Sequence, residues 1–301
     1  MIVDCYTHTW ESSAQIGGDS KDDGQRRPIL PEFDDGSPGS IAKHLAATEP
    51  VDTTIVVGFK SRYLGAEIPN EHLATYVRSH GDRLIGFAGI DPSDPREAIR
   101  EMRHARADLR MPGIAVAPAA QGFHPSNSQA MRVYTEAAAL GMPILFHTGV
   151  RITSATMLEY AFPVLLDEIA RELPDLKIVI AHMGWPWINE TVLLLAKHPN
   201  VYAEISWLLH QPWQAYQAML AAYQYGVTAK LFFGSGFPYL SASCGIEALY
   251  SVNHLVHGTN LPTVPREQLR GIVERDALSA LGISRAGEQS AAQRATEDED
   301  F

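Results

Sequence analysis

Eight short apolar runs, each followed by a longer stretch of helical periodicity, predict that this 301-residue chain folds as a (β/α)8 barrel. A second observation agrees: runs such as Lys177-Ile178-Val179-Ile180-Ala181 are apolar without alternation, as parallel strands covered on both faces are. The third separates the barrel from its structural competitor. An open doubly wound sheet usually carries a Gly-rich phosphate fingerprint after an early strand, and none follows here.

The expected strands are residues 2–4, 53–57, 84–90, 113–116, 144–146, 178–181, 201–205 and 231–233. Between them the periodicity predicts helices over about 40–48, 70–80, 95–107, 127–140, 156–172, 187–197, 212–225 and 242–256. A ninth, at about 265–282, closes the bottom or the flank of the barrel. One domain, residues 1–283, accounts for all of these, because each helix returns the chain to the next parallel strand by an ordinary crossover. Two segments fall outside the pattern. Residues 11–39, rich in Gly, Asp, Ser and Pro, form an insertion after the first strand, either an active-site lid or a mobile surface loop. Residues 284–301 have no apolar stripe and read as a disordered acidic tail.

Composition narrows the class. Hydrophobic residues make up 46% of the chain and charged ones 20%, enough for a large packed core. The formal net charge of −11, with no clustered Lys/Arg footprint, excludes a nucleic-acid surface. Two cysteines, Cys5 and Cys244, form neither a disulfide framework nor a metal-binding spacing and fit a reducing compartment. The start Met-Ile-Val-Asp resembles no secretory leader, and no run of eighteen apolar residues occurs. The expectation is a cytoplasmic enzyme-like body that meets a small molecule and no membrane.

In a barrel the chemistry sits at the C-terminal ends of the strands, where the βα loops converge. Strand one ends in Tyr6-Thr7-His8-Thr9-Trp10, strand five in Phe146-His147-Thr148, and strand six in Ala181-His182-Met183-Gly184-Trp185. His8, His147 and His182 are therefore expected at one mouth, where imidazoles can ligate a divalent cation or shuttle protons. His124 and His210 lie in loops that can reach the same mouth. His44, His80, His198, His254 and His257 fall on helices or loops and read as ordinary hydrogen-bonded imidazoles.

The segments IVDCYTHTW, ILFHTG, IVIAHMGWPW, NVYAEIS, LFFGSGFP and RDALSALGI, in this order, resemble the amidohydrolase superfamily. Within it the chain is most similar to the amidohydrolase-related branch of aminocarboxymuconate semialdehyde decarboxylase and the resorcylate decarboxylases. The likeness spans nearly the whole chain apart from the insertion and the tail. It implies a His-x-His pair on strand one, a ligand His on strand five, an acid/base His on strand six, and an Asp after Gly-Ser on strand eight. Carried over, His8 is the second His of the pair, His147 the strand-five ligand and His182 the acid/base. Tyr6 stands where the first His is expected and Gly236 where the Asp is expected, while Ala115 replaces a strand-four Lys.

Those departures bear on the metal. Glycine can neither ligate an ion nor take a proton from bound water, and a phenol ligates only when deprotonated. His8 and His147 remain as ligands for a zinc or manganese ion, two where a firm site needs three or four. The resemblance implies a hydrolase or a decarboxylase-type carbon–carbon lyase acting on a small carboxylated substrate with an atypical, weak or absent metal. Two alternatives stay open: a conventional metal-dependent amidohydrolase in which Tyr6 or Glu204 replaces a lost ligand, and a catalytically inactive barrel that binds a ligand or partner. Arg151 can pair with a carboxylate, Glu204 is either a strand-end carboxylate or a buried imidazole partner, and Trp10, Trp185 and Trp207 are candidate pocket walls beside Tyr6. A homodimer is compatible with the resemblance.

Overall fold

In a computed structural model of the chain, residues 1–17, 39–148 and 155–284 are described. Residues 18–38 of the insertion and residues 285–301 of the expected tail lie outside them. The barrel strands are β1 (Val3–Thr7), β2 (Thr53–Val57), β3 (Leu84–Gly89), β4 (Gly113–Val116), β5 (Ile144–Phe146), β6 (Ile178–Ile180), β7 (Val201–Glu204) and β8 (Leu231–Phe232). They pair in parallel in that order. The ring closes from β8 to β1 by irregular bonds: Cys5 N–H donates to Phe233 O at 2.9 Å, Gly236 N–H to Tyr6 O at 2.9 Å and His8 N–H to Phe237 O at 3.0 Å.

All eight expected strands are present. The first runs further than expected, to Thr7, because polar side chains at its end hid a strand whose backbone pairs with β2. That extension places Tyr6 in the strand itself. Alternation along the strands sorts the apolar side chains into two layers. Val3, Ile55, Phe87, Leu145, Val179 and Phe232 fill the barrel interior. Gly113 is required there, since a Cβ at that position would lie 2.6 Å from the Phe87 ring. The neighbouring residues on the outer face, such as Val56, Ile114, Phe146 and Ile180, pack under the helices.

The helices that follow the strands are α1 (Ile41–Ala47), α2 (Asn70–Arg78), α3 (Pro95–Ala107), α4 (Ser128–Ala139), α5 (Leu166–Glu172), α6 (Ile188–Lys197), α7 (Pro212–Gln224) and α8 (Ala242–Tyr250), with one further short turn of helix at Pro118–Gln121. Side-chain caps fix several starts: Asp94 accepts from Arg96 N and Glu97 N ahead of α3, and Asn127 does the same ahead of α4. Three expected helices are shorter or broken. The segment 156–172 begins with two 3-10 turns because Pro163 cannot continue a helical ladder. The segment 242–256 turns 3-10 after Tyr250. The ninth helix divides into Arg266–Val273 and Ala277–Leu281, the second capped by Asp276. Ala277, Leu278 and Leu281 join the interior layer, so this piece closes the bottom of the barrel. A small hairpin, Lys60–Ser61 with Ala66–Glu67, follows β2 and was not expected.

The described start of the insertion is a 3-10 turn, Ser13–Ile16, whose Ile16 packs with Trp10, Ile68 and Phe59. His44 conforms to its expected reading: it is fully buried between Tyr76 OH at 2.7 Å and Thr7 Oγ1 at 2.9 Å. No helix among the described residues is long and apolar enough to cross a membrane.

Candidate active site

The strand ends converge on a cavity of ≈ 70 Å³, several times the space one water needs. His8, His147 and His182 all wall it. The Tyr6 ring stands among them, with centroid distances of 4.9 Å to His8, 4.6 Å to His182 and 6.2 Å to His147, and His147 lies 5.1 Å from His182. Three imidazoles distant in sequence are thus gathered around one phenol.

His8 and His182 show how partners fix an imidazole here. His8 Nδ1 lies 2.6 Å from Val57 O, which can only accept, so Nδ1 carries the proton. Nε2 is then an acceptor and takes the Tyr6 hydroxyl at 2.8 Å. His182 is held on its other side by β7. Its backbone N–H donates to Glu204 Oε1 at 2.5 Å, and its Nδ1 lies 3.1 Å from the same oxygen and 2.9 Å from Ser206 Oγ. Glu204 Oε2 accepts from Ser206 N at 2.8 Å. Burial pushes the Glu204 carboxyl up, but the charge and hydrogen bond of His182 and the amides of Ser206 and His182 outweigh it, holding the group below the usual glutamate range. An ionised carboxylate there requires Nδ1–H, which leaves Nε2 as the nitrogen available for chemistry. That atom is buried and has no partner among the described residues.

The backbone makes the same point. His182, Met183 and Gly184 adopt three consecutive left-handed conformations, with φ of 54°, 51° and 68°. Side chains rarely accept such values, and the cost is repaid where the surrounding structure over-determines them. Here the turn delivers the His182 amide and imidazole to one carboxylate. Gly234 on the strand-eight side leaves room for that carboxylate, since a Cβ would lie 2.5 Å from Glu204 Oε2. Gly234→Ala is therefore expected to displace Glu204 and lower both melting temperature and turnover. Unchanged values in a melt and an activity assay would remove Glu204 from the arrangement.

The other expected site residues divide. Trp10 and Trp207 wall the cavity, as does His210. Trp185 does not: it follows the left-handed turn, its ring lies 6.5 Å from Trp207, and it packs against the outer layer. Glu204 is the buried imidazole partner, not an open strand-end carboxylate, and is 0% exposed. His124 points away, against Tyr160 and Ser126. Arg151 lies outside the described residues. At the strand-four position Ala115 faces the cavity, and the lysine in its wall is Lys60, whose Nζ is 2.8 Å from Glu101. Ser206 and Tyr239 were missed. Period-two spacing from Glu204 points to the first; the second lies one residue past the Gly-Ser-Gly-Phe-Pro run.

As a metal site the described donors fall short. The His8 Nε2 lone pair is engaged by Tyr6, both Glu204 oxygens are engaged by His182 and Ser206, and Gly236 has no side chain. Gly236 has a φ of 73°, and a Cβ there would press on Ser206 Cβ at 3.1 Å, so the geometry is built for glycine. No group of three or more His, Cys, Asp or Glu among the described residues could hold an ion. Glu204 as a replacement ligand is thereby corrected: its oxygens are spent on orienting His182.

The same fold occurs in known proteins. A TIM-barrel protein from Bordetella bronchiseptica is 20% identical and superposes with a TM-score of 0.71, covering 93% of this chain and 99% of its own. A dihydroxybenzoic acid decarboxylase from Polaromonas sp. JS666, with bound manganese and the inhibitor 2-nitroresorcinol, is 16% identical with a TM-score of 0.63 over 95% and 98% of the two chains. In sequence, 2-amino-3-carboxymuconate-6-semialdehyde decarboxylase from Dictyostelium discoideum is 22% identical over 134 residues, 40% of this chain and 37% of that relative. The match thus spans little more than a third of the curated relative's length. A family model described as amidohydrolase matches residues 3–283, which takes in every barrel strand and the three converging histidines, and the chain belongs to that family.

Proposed function

We propose that the chain is an acid–base enzyme of the decarboxylase type, acting on a small, planar carboxylic acid, with His182 as the group that moves the proton. The observation that carries this reading is the asymmetry of His182, a residue that lines the cavity: Nδ1 is held by Glu204 and Ser206, while Nε2 has no partner among the described residues. In decarboxylation the bond from ring carbon to carboxylate breaks, its electron pair stays on the carbon, carbon dioxide leaves, and that carbon needs one proton. An imidazolium at His182 supplies it from Nε2. Glu204, 3.1 Å from Nδ1, is the counter-charge that a buried imidazolium needs. The likeness to decarboxylases in sequence and fold supports the same reading.

Three rivals fare less well. A serine nucleophile at Ser206 would require the hydroxyl and the carboxylate on opposite imidazole nitrogens, whereas both lie on Nδ1. A purely binding barrel leaves unexplained why strained backbone and a buried carboxylate are spent on aiming one imidazole. Metal-dependent turnover lacks, among the described residues, a group of three or more His, Cys, Asp or Glu that could hold the ion. Hydrolysis of a small lactone or amide, with Nε2 activating water, is the second reading for the same nitrogen.

The test is an assay of carbon dioxide release from a panel of hydroxybenzoic and heteroaromatic acids, alongside hydrolysis of pyrone lactones, before and after treatment with a chelator. Turnover of an acid that persists after metal removal is expected. Turnover abolished by the chelator and restored by manganese would return the chain to a metal mechanism, and lactone turnover alone would select the hydrolytic reading.

A further inference from the structure

We infer that Trp207 and His210 form an uncharged donor pair that binds the carboxylate of the substrate, beside the acid–base nitrogen of His182. The inference rests on the preceding reading for its substrate class, but on separate observations for the site. Among the described residues, six buried side-chain polar atoms lack a hydrogen-bond partner. Three of them belong to residues that wall the cavity at the strand ends: His182 Nε2, Trp207 Nε1 and His210 Nε2. Buried polar atoms are nearly always paired, and an orphan carries a desolvation penalty of about 1–3 kcal/mol. Orphans on residues that wall a cavity are the polar atoms nearest to what a ligand there could satisfy, once a small side-chain adjustment opens them to it.

The chemistry of the orphans defines the ligand. The indole Nε1–H is a donor only, so it asks for an acceptor. Burial, with His182 nearby, holds the His210 imidazole below its ordinary range, so the ring is neutral and Nε2 can carry a proton to donate. The two rings lie 5.4 Å apart on the same 3-10 turn, Ser206–His210, and both pack on Tyr239, at 5.6 and 6.2 Å. That turn begins at Ser206, the residue that touches His182 Nδ1. Two donors on one rigid turn suit the two oxygens of a carboxylate, and the aromatic wall suits a flat ring attached to it. The lysine in the described wall, Lys60, is turned to Glu101. The pair therefore offers hydrogen bonds without a full countercharge, which holds a carboxylate in place while leaving its charge poorly neutralised.

The experiment uses the full chain and three probes, benzoate, 2,6-dihydroxybenzoate and pyridine-2-carboxylate, with benzene-1,3-diol as the carboxylate-free counterpart. The chain has five tryptophans, so nitrogen–proton spectra contain five indole signals, and Trp207→Phe identifies one of them by its loss. On adding a carboxylate probe that binds, this signal is expected to move downfield, and benzene-1,3-diol should leave it in place. By calorimetry, Trp207→Phe, which keeps a ring in the wall, should weaken that probe about tenfold or more without changing the diol. His210→Phe should do likewise. An indole signal unmoved at saturation, equal affinities in the variants, or no binding of any of the three acids to the natural chain would overturn the inference. His182→Ala separates the two readings: retained carboxylate binding without turnover supports the subsite whatever the reaction, whereas turnover insensitive to Trp207→Phe removes the subsite and leaves the acid–base role standing.

Discussion

Replacing His182 by alanine is expected to lower turnover by about 10²–10⁴-fold while leaving the barrel folded. The loss follows from the role of Nε2, the nitrogen left over once Nδ1 is held by Glu204 and Ser206. His8 spends both nitrogens on Val57 and Tyr6. The fold should survive because the Glu204 carboxylate keeps its two backbone donors, His182 N and Ser206 N, when the ring is removed. Alanine carries one complication: residue 182 sits at φ 54°, and although histidine already bears a Cβ there, alanine populates the left-handed region less readily than histidine or asparagine does. Asparagine tolerates that conformation and has no group that titrates near neutrality, so His182→Asn separates backbone strain from proton transfer. The Asn variant should melt like the natural protein and still be inactive, and added imidazole should restore part of the activity of the Ala variant. Comparable turnover by a folded Asn variant would reject His182 as the proton carrier. Glu204→Gln, acting through His182, should chiefly displace the pH profile of kcat and spare KM.

The barrel was legible because its signals are local and repeated. A strand such as 178–180 is a short apolar run and a helix such as 95–107 carries its own cap, so neither depends on distant partners. Three of the converging histidines were legible for the same reason, each lying immediately after such a run. What they do was less so. That Tyr6 occupies His8, and that Glu204 is sealed behind His182, depend on pairings between β1, β6 and β7 that no single segment announces. Trp185 illustrates the limit: its spacing from strand six is right for a cavity wall, but three left-handed residues reverse the chain before it. Gly236 illustrates another. Read as a sequence it is a missing carboxylate, whereas in the fold its positive φ and the nearness of Ser206 make it a fitted turn.

Asp4→Asn is expected to stabilise the protein by up to ~4 kcal/mol above neutral pH and to have little effect in acid. Asp4 is fully buried between β1 and β8, where Oδ1 accepts from Ser235 N at 2.8 Å and Tyr6 N at 3.3 Å and Oδ2 has no partner among the described residues. Burial pushes its carboxyl up to about 7 from 3.8, against the hydrogen bonds from Ser235 and Tyr6. Between those values the folded chain holds a proton that the unfolded chain has lost, so stability falls as pH rises, by about 1.4 kcal/mol per unit. His44 works in the opposite sense. Burial, with His80 and His8 nearby, lowers its imidazole from 6.5 to about 3, so over that range the unfolded chain binds the extra proton and stability rises with pH. From pH 4 to 6.5 the two slopes cancel in the natural protein. Removing the Asp4 carboxyl leaves the His44 slope alone, because the Asn oxygen can keep both backbone donors and its amide replaces an atom that had no partner. Urea unfolding between pH 4 and 8 should therefore give a shallow dependence for the natural chain over the lower part of the range. The Asn variant should rise by about 1.4 kcal/mol per unit up to pH 6.5. Parallel curves for the two proteins would mean that Asp4 folds in as a carboxylate throughout, and the strand-one end would then carry a negative charge directly beneath Tyr6.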